Sequence, residues 1–329
     1  MKVLEKIILS VFVLSLAAMA PDVADAQGRG GGGGGGGGGK GVPAGGGGVE
    51  PVDPNLPPTF NWMHPDVGDA FADGITGIGS HVVILDNFGG TAIGGNLTGT
   101  SQWRYHGGWV SYTTRLVAPG ASVEDVQNTT GVVYNSSPAI TYTDITQSYR
   151  TVPGVNVVNM SFGLFDPLDV DVSDTNYTLG LPLWDSVVDA AHDVNGSAVF
   201  VKAAGNLNGQ TVDQGTLNLG FPGVPHIDNL NTLLIGAENA LFVGALEKNG
   251  TRRKKARIAS YSTIAGSNPI VQDMFLVAGV DSRKTGLEGT SFAAPIVSGY
   301  AAMLGEKFNA ASPDQIVDQL LLTARTDTI

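Results

Sequence analysis

GTSFAAPIVSG, residues 289–299, is the stretch from which the fold is read. Gly286 and Gly289 make a flexible approach, and a helix-forming run follows over residues 292–308. Ser291 therefore falls at a helix N-terminus, where unpaired N–H groups and the positive end of the macrodipole favour a developing anion. Pro295 has no N–H to offer the Ser291 carbonyl, so the regular ladder starts late and the opening turn is distorted. Gly299 allows close packing against a neighbour. The same residues also have a plain structural meaning, because Thr-Ser before an apolar run is the common N-cap. What decides between a capped helix and a nucleophile is the rest of the chain.

Working outward, short apolar runs recur at residues 82–85, 155–158, 198–201, 241–243 and 275–277. They are near-continuous and rich in Val, Ile and Phe, as strands buried on both faces of a parallel sheet are. Residues 183–194 and 313–324 show helical spacing. This alternation predicts an α/β fold with a mostly parallel central sheet, right-handed crossovers and helices on both faces. In such sheets the site lies beyond the carboxyl ends of the strands. Asp86 ends the first run, His106 opens HGGWV before a short helical run, and Asn206 ends VKAAGN. Each has a bland alternative: a turn-starting Asp, a lone surface His and an Asn in a turn before Asn208 and Gly209.

Residues 1–26 have the layout of a secretory signal. Lys2 and Lys6 precede an apolar stretch over 7–20, and Ala24 to Ala26 offers a cleavage site before Gln27. The Gly-rich and Pro-rich segment 27–58 reads as a flexible tether, leaving 59–329 as one α/β domain. The chain has no cysteine, so neither a disulfide nor a thiol nucleophile is available. Its net charge of −12 argues against nucleic acid and anionic membrane as partners, and no membrane span is expected in the mature chain. The run Arg252, Arg253, Lys254, Lys255 follows a turn signal at Asn249 and Gly250 and is expected to be a solvated loop face.

Asp86, His106, Asn206 and Ser291 form an ordered set, each at a strand end or a helix start. With VVILD, HGGWV, VNVVNMSFG from Val155, VKAAGN and GTSFAAPIVSG, the chain resembles the subtilisin-type serine proteases, the subtilases. Weaker matches are GITGIG from Gly74, VAPGA from Val117, FPG from Phe221 and VGA from Val243. The resemblance implies acyl transfer on a peptide bond, with Ser291 as nucleophile, His106 as base and Asp86 as its orienting partner. Asn206 and the Ser291 N–H would hold the oxyanion. Ser161, Phe162 and Gly163 would bind extended substrate, and with Ala204 and Gly205 would wall the primary pocket.

The pattern also departs from the family. Asn87 stands where Ser or Thr is usual, Gly108 replaces a Thr, and Ser111 and Tyr112 stand where Ala-Gly is expected. No folded inhibitory propeptide is expected between Ala26 and Phe60, and the chain stops soon after the helix that follows the serine helix, as a truncated sequence would. The expectation is a secreted, periplasmic or cell-surface serine endopeptidase acting on protein or peptide substrates. The alternatives are a weak or inactive subtilase-like binding module and a surface-tethered structural domain. No cofactor is implied with certainty. Asp166, Asp169, Asp171 and Asp174 are of the type that ligates calcium, though a solvated acidic loop is the commoner meaning, and no metal residue is assigned.

Overall fold

The computed structural model describes residues 55–127, 151–163, 165–167, 182–217, 226–251 and 253–324. The leader, most of the tether, the FPG stretch and Asp169, Asp171 and Asp174 lie outside the described residues, and of Asp166 only the backbone is described.

In chain order the elements are α1 (Pro65–Ala72), β1 (His81–Asp86), β2 (Ile93–Gly95), β3 (Gln102–Arg104), α2 (His106–Val117), β4 (Ser122–Gln127), β5 (Asn156–Met160), β6 (Phe165–Pro167) and α3 (Pro182–His192). Then come β7 (Val199–Ala203), β8 (Thr216–Leu217), β9 (His226–Asp228), α4 (Asn229–Leu234), β10 (Ala240–Ala245), α5 (Pro269–Gln272), β11 (Phe275–Ala278), α6 (Ser282–Thr285), α7 (Thr290–Lys307) and α8 (Pro313–Thr323). Six parallel strands make the central sheet in the order β11-β10-β7-β5-β1-β4. After the edge strand β4 the chain returns to the other side of β1 at β5. The carboxyl ends of β1 and β5 thus flank the point where strand order reverses, which is where open α/β sheets form their ligand crevice.

The two faces of the sheet carry two cores. Val82, Ile84, Val157, Val199, Val201 and Val243 pack with Val110, Val117, Ala294, Val297 and Ile316 of α2, α7 and α8. Their neighbours Val83, Leu85, Val158, Met160, Phe200 and Phe242 pack on the opposite face with Val187, Ala191, Leu230 and Val271. This two-sided burial gives the strands their unbroken apolar sequence. Each fully buried side chain of this size stabilises the fold by roughly 1.5–3 kcal/mol. Helix α7 is buried almost throughout, and a Cβ at Gly299 would stand 2.6 Å from the Val117 side chain, so glycine there sets the distance between α7 and α2.

Among the described residues two smaller sheets sit outside the main one: the antiparallel hairpin β2-β3, and the three-stranded β6-β9-β8. The sequence did not announce them. It did not announce β4 either, whose residues SVEDVQ are half-exposed along the edge.

Candidate active site

Asp86 is the last residue of β1 and is 1 % exposed. His106 is the first residue of α2, whose N-cap Tyr105 makes no side-chain cap. The Gly107 N–H donates to the Asn87 carbonyl at 2.8 Å, which pins the start of α2 to the end of β1. His106 Nδ1 meets Asp86 Oδ1 at 2.6 Å. The same oxygen accepts the Asn87 N–H at 2.6 Å, while Asp86 Oδ2 is buried with no hydrogen-bond partner. Burial pushes the Asp86 carboxyl above the usual carboxylate range, opposed by the His106 hydrogen bond and charge and by the Asn87 N–H. The bond to Nδ1 leaves Nε2 as the working nitrogen, and the ring rests against Phe292 with centroids 5.4 Å apart.

Asn87 turns its carboxamide oxygen to the Gly89 N–H and to Gln127, and Gly108 has no side chain. Ser111 is buried with its hydroxyl on Asp125 of β4 at 2.6 Å.

Helix α7 begins at Thr290, two residues earlier than the sequence suggests, with Gly289 as N-cap and no side-chain cap. The plain Thr-Ser cap is therefore not what these residues make. Gly289 has φ 142°, a conformation that L side chains rarely adopt, and a Cβ there would lie 3.3 Å from Asn206 Nδ2. Thr290 reaches across to the loop after β7. Its N–H and its hydroxyl both donate to Asn206 Oδ1, at 2.9 and 3.1 Å, and its hydroxyl accepts the Gly205 N–H at 3.1 Å. With Oδ1 fixed by a backbone donor, the carboxamide orientation is set and Nδ2 is left as the outward donor on an exposed residue.

Ser291 and Ser161 form a reciprocal pair across 130 positions of sequence. The Ser291 hydroxyl donates to the Ser161 carbonyl at 3.0 Å, and the Ser161 hydroxyl donates to the Ser291 carbonyl at 3.0 Å. The second bond answers the defect created by Pro295, because the Ser291 carbonyl lacks its normal helical donor. The chain continues inward: Asn159 Nδ2 donates to Ser161 Oγ at 2.9 Å, and Ser298 Oγ to Asn159 Oδ1 at 3.0 Å. Asn159, Ser161 and Ser298 are all at most 1 % exposed. In this arrangement the Ser291 hydroxyl faces Ser161 and makes no hydrogen bond to His106.

Below the loop lies a second ion pair. Lys202 of β7, 1 % exposed, donates to Asp228 Oδ2 at 3.1 Å and to the Ala203 carbonyl at 2.7 Å. Burial pushes its ammonium below the ordinary lysine range, opposed by Asp228. Beside it, Asn231 donates to the Ala204 carbonyl at 3.0 Å.

The structure thus brings Asp86, His106, Asn206, Ser291 and Ser161 to one crevice at the carboxyl edge of the sheet. Ala204 is buried and its N–H is used by Val243; the Gly205 carbonyl accepts the Thr263 N–H at 2.9 Å. These two residues can wall a pocket but their backbone is already paired. Phe162 packs against the second core, and Gly163 follows it on irregular backbone. Thr290, Asn159, Ser298 and the Lys202–Asp228 pair were not singled out from the sequence. The one sequence signal for the last was a lysine inside an apolar run. Among the described residues no cluster of three or more His, Cys, Asp or Glu could hold a metal ion, and no helix is long and apolar enough to cross a membrane.

A parallel doubly covered sheet with Asp, His and Ser in this order is the frame of a subtilase, and sequence comparison agrees. The chain belongs to the subtilase family, whose profile matches residues 88–329. Subtilisin DY of Bacillus licheniformis is 27 % identical over 212 residues, covering 63 % of this chain and 62 % of its own. Mycosin-1 of Mycobacterium tuberculosis is 29 % identical over 182 residues, covering 52 % and 39 %. The chain spans less than two thirds of the length of either relative. Among solved structures, MycP1 from Mycobacterium smegmatis shares 19 % identity over 83 % of this chain and 81 % of that one, with a TM-score of 0.48.

Proposed function

We propose that the chain is a secreted serine endopeptidase that cleaves peptide bonds through an acyl-enzyme on Ser291. The observation that carries this is the 2.6 Å bond between buried Asp86 and the first residue of α2, on the same crevice as the helix start that bears Ser291. Before attack the Ser291 hydroxyl exchanges the Ser161 carbonyl for His106 Nε2. Oγ then bonds to the substrate carbonyl carbon as its proton passes to Nε2. The oxyanion is held by the Ser291 N–H and by Asn206 Nδ2. His106 returns the proton to the leaving amine as the C–N bond breaks, and water hydrolyses the acyl group by the same relay. Asp86 keeps Nδ1 protonated and stabilises the imidazolium. The signal-like segment 1–26 supports export, with the cut before Gln27.

A fluorophosphonate probe tests the assignment, because only an activated serine labels at a useful rate. The full chain should label stoichiometrically and the Ser291→Ala variant not at all. A folded wild-type chain that fails to label would leave the inactive, binding-module alternative, for which the Ser291–Ser161 bond and the orphaned Asp86 Oδ2 would then be the structural reason.

A further inference from the structure

The chain is acidic, but its basic residues are unevenly placed. Over residues 247–284 eight basic residues stand against Glu247, Asp273 and Asp281, a local balance of +5, which leaves −17 for the rest of a chain whose net charge is −12. The fold gathers those among the described residues further than the sequence does. Leu246 and Ile258 bridge antiparallel and the Glu247 N–H donates to the Arg257 carbonyl at 2.9 Å, so residues 247–257 double back on themselves. The turn is closed by reciprocal backbone bonds between Thr251 and Lys254, at 2.8 and 3.1 Å. The segment after β11 is pressed against this hairpin: a Cβ at Gly279 would meet the Lys248 backbone at 2.8 Å. Asn249 then bonds the Trp62 carbonyl and Lys284 the Asn61 carbonyl, which ties both basic segments to adjacent residues.

Lys248, Lys254, Lys255, Arg257 and Arg283 are all exposed on this surface, whereas Lys284 is engaged by Asp281 at 3.0 Å. Both segments leave the carboxyl ends of β10 and β11, the same edge of the parallel sheet from which Asp86 and Asn206 arise. The second runs directly into the catalytic helix. Lys284 stands seven positions before Ser291, at most about 25 Å of chain.

We propose that this basic surface docks an acidic stretch of the polypeptide substrate beside the cleft, several residues from the scissile bond; the proposal rests on the peptidase assignment above. A short acidic segment fits the charge pattern where an extended polyanion does not. A nucleic acid or an anionic membrane would also meet the acidic remainder of the molecule and be repelled, and a short segment reaches the patch alone. Exposed cations on a rim act mainly on encounter and are screened beyond about 8 Å at physiological salt, so the contribution should fall steeply with ionic strength.

The binding arm uses the full chain with Ser291→Ala and a fluorescein-labelled peptide carrying six glutamates, against the same peptide with six glutamines. The glutamate peptide should bind about tenfold tighter at low salt, within the range of electrostatic steering. The Lys254→Glu/Lys255→Glu variant should abolish the difference. Equal binding of the two peptides, a variant that binds like its parent, or sedimentation with anionic vesicles in preference to the glutamate peptide would each overturn the proposal. The turnover arm uses the wild type and two fluorogenic peptides with one cleavable core. The glutamate-tailed one should show the higher kcat/KM, through KM, and the variant should cleave the neutral one normally. In a chain that cleaves the neutral peptide, tight binding of the glutamate peptide without faster cleavage would also overturn it. Because the binding arm needs no catalysis, a chain that cleaves neither peptide refutes the peptidase assignment without deciding the docking surface, which binding then decides.

Discussion

Asp86 and His106 meet at 2.6 Å with the imidazole side chain 36 % exposed; Lys202 and Asp228 meet at 3.1 Å with their side chains 1 % and 3 % exposed. Both pairs carry a buried carboxylate, Asp86 at the end of β1 in the central sheet and Asp228 at the end of β9 in the three-stranded sheet, yet their surroundings differ. Asp228 is well supplied: Lys202 holds one oxygen and the Asn231 N–H lies 3.4 Å from the other. Asp86 has two donors on one oxygen and none on the other. A pair that must hold the fold is satisfied and sealed. If the Asp86–His106 pair works as proposed it must change protonation, and its imidazole is correspondingly open to water.

The largest effect should come from unbalancing the open pair. Asp86→Asn keeps the shape of the side chain but favours the wrong imidazole tautomer, and a loss of about 10⁴ in kcat is expected, the scale known for this exchange in serine triads. Stability should move the other way. The folded carboxyl is raised above its unfolded value, so ionising Asp86 costs the folded chain stability. That cost is absent below the ordinary carboxylate range and fully present above the raised folded value. The variant should therefore be at least as stable as the parent at pH 7 by thermal denaturation, with any advantage vanishing at acid pH. A clear drop in Tm at pH 7 would mean that the open pair is structural after all, and the contrast with Lys202 would fail.

The sealed pair should show the reverse profile. Lys202→Met leaves Asp228 buried without its counter-charge, for which about 3–5 kcal/mol of stability is the usual loss. Lys202→Met with Asp228→Leu should recover most of it, because removing both charges also removes both desolvation costs. In chemical denaturation the single variant should unfold well before the double one, while molecules that remain folded keep the wild-type rate of active-site labelling. Equal stability of the two variants would show that the pair contributes no specific coupling.

How much of this was legible in the sequence follows the physics of each element. Strands β1, β5, β7 and β10 are buried on both faces and were visible as near-continuous runs rich in Val, Ile and Phe, and the half-buried edge strand β11 was visible from the apolar run over 275–277. Strand β4 was not, because SVEDVQ lies on an edge and only its pairing with β1 makes it a strand. Asp86, His106, Asn206 and Ser291 stood out because each follows a strand or opens a helix. The missing Pro295 N–H could be anticipated, but not that Ser161 would answer it, since nothing local links residues 130 positions apart. Likewise Lys202 was an anomaly in an apolar run, and its explanation lay 26 positions away in Asp228.

Between the two ion pairs runs a neutral chain, Ser298 to Asn159 to Ser161 to Ser291, and it gives the smallest and most discriminating test. Ser161 Oγ does two things at once: it satisfies the Ser291 carbonyl and it accepts from Asn159. Ser161→Ala removes that hydroxyl but keeps the Ser161 carbonyl, which is where the resting Ser291 hydroxyl sits. The resting place of the Ser291 hydroxyl should therefore be unchanged, and any effect belongs to the lost support of its backbone. Leaving a buried carbonyl and a buried amide donor unpaired costs about 1–3 kcal/mol of stability. If part of that looseness reaches the oxyanion donors at the helix start, kcat should fall about tenfold, equivalent to ~1.4 kcal/mol in the barrier, with KM changed only a few-fold. Ser161→Thr, which keeps a hydroxyl, should restore most of the rate. A Ser161→Ala enzyme that is destabilised yet turns over at the wild-type rate would make the chain a piece of the core, like the Lys202 pair, and not part of the machinery that holds Ser291 in place.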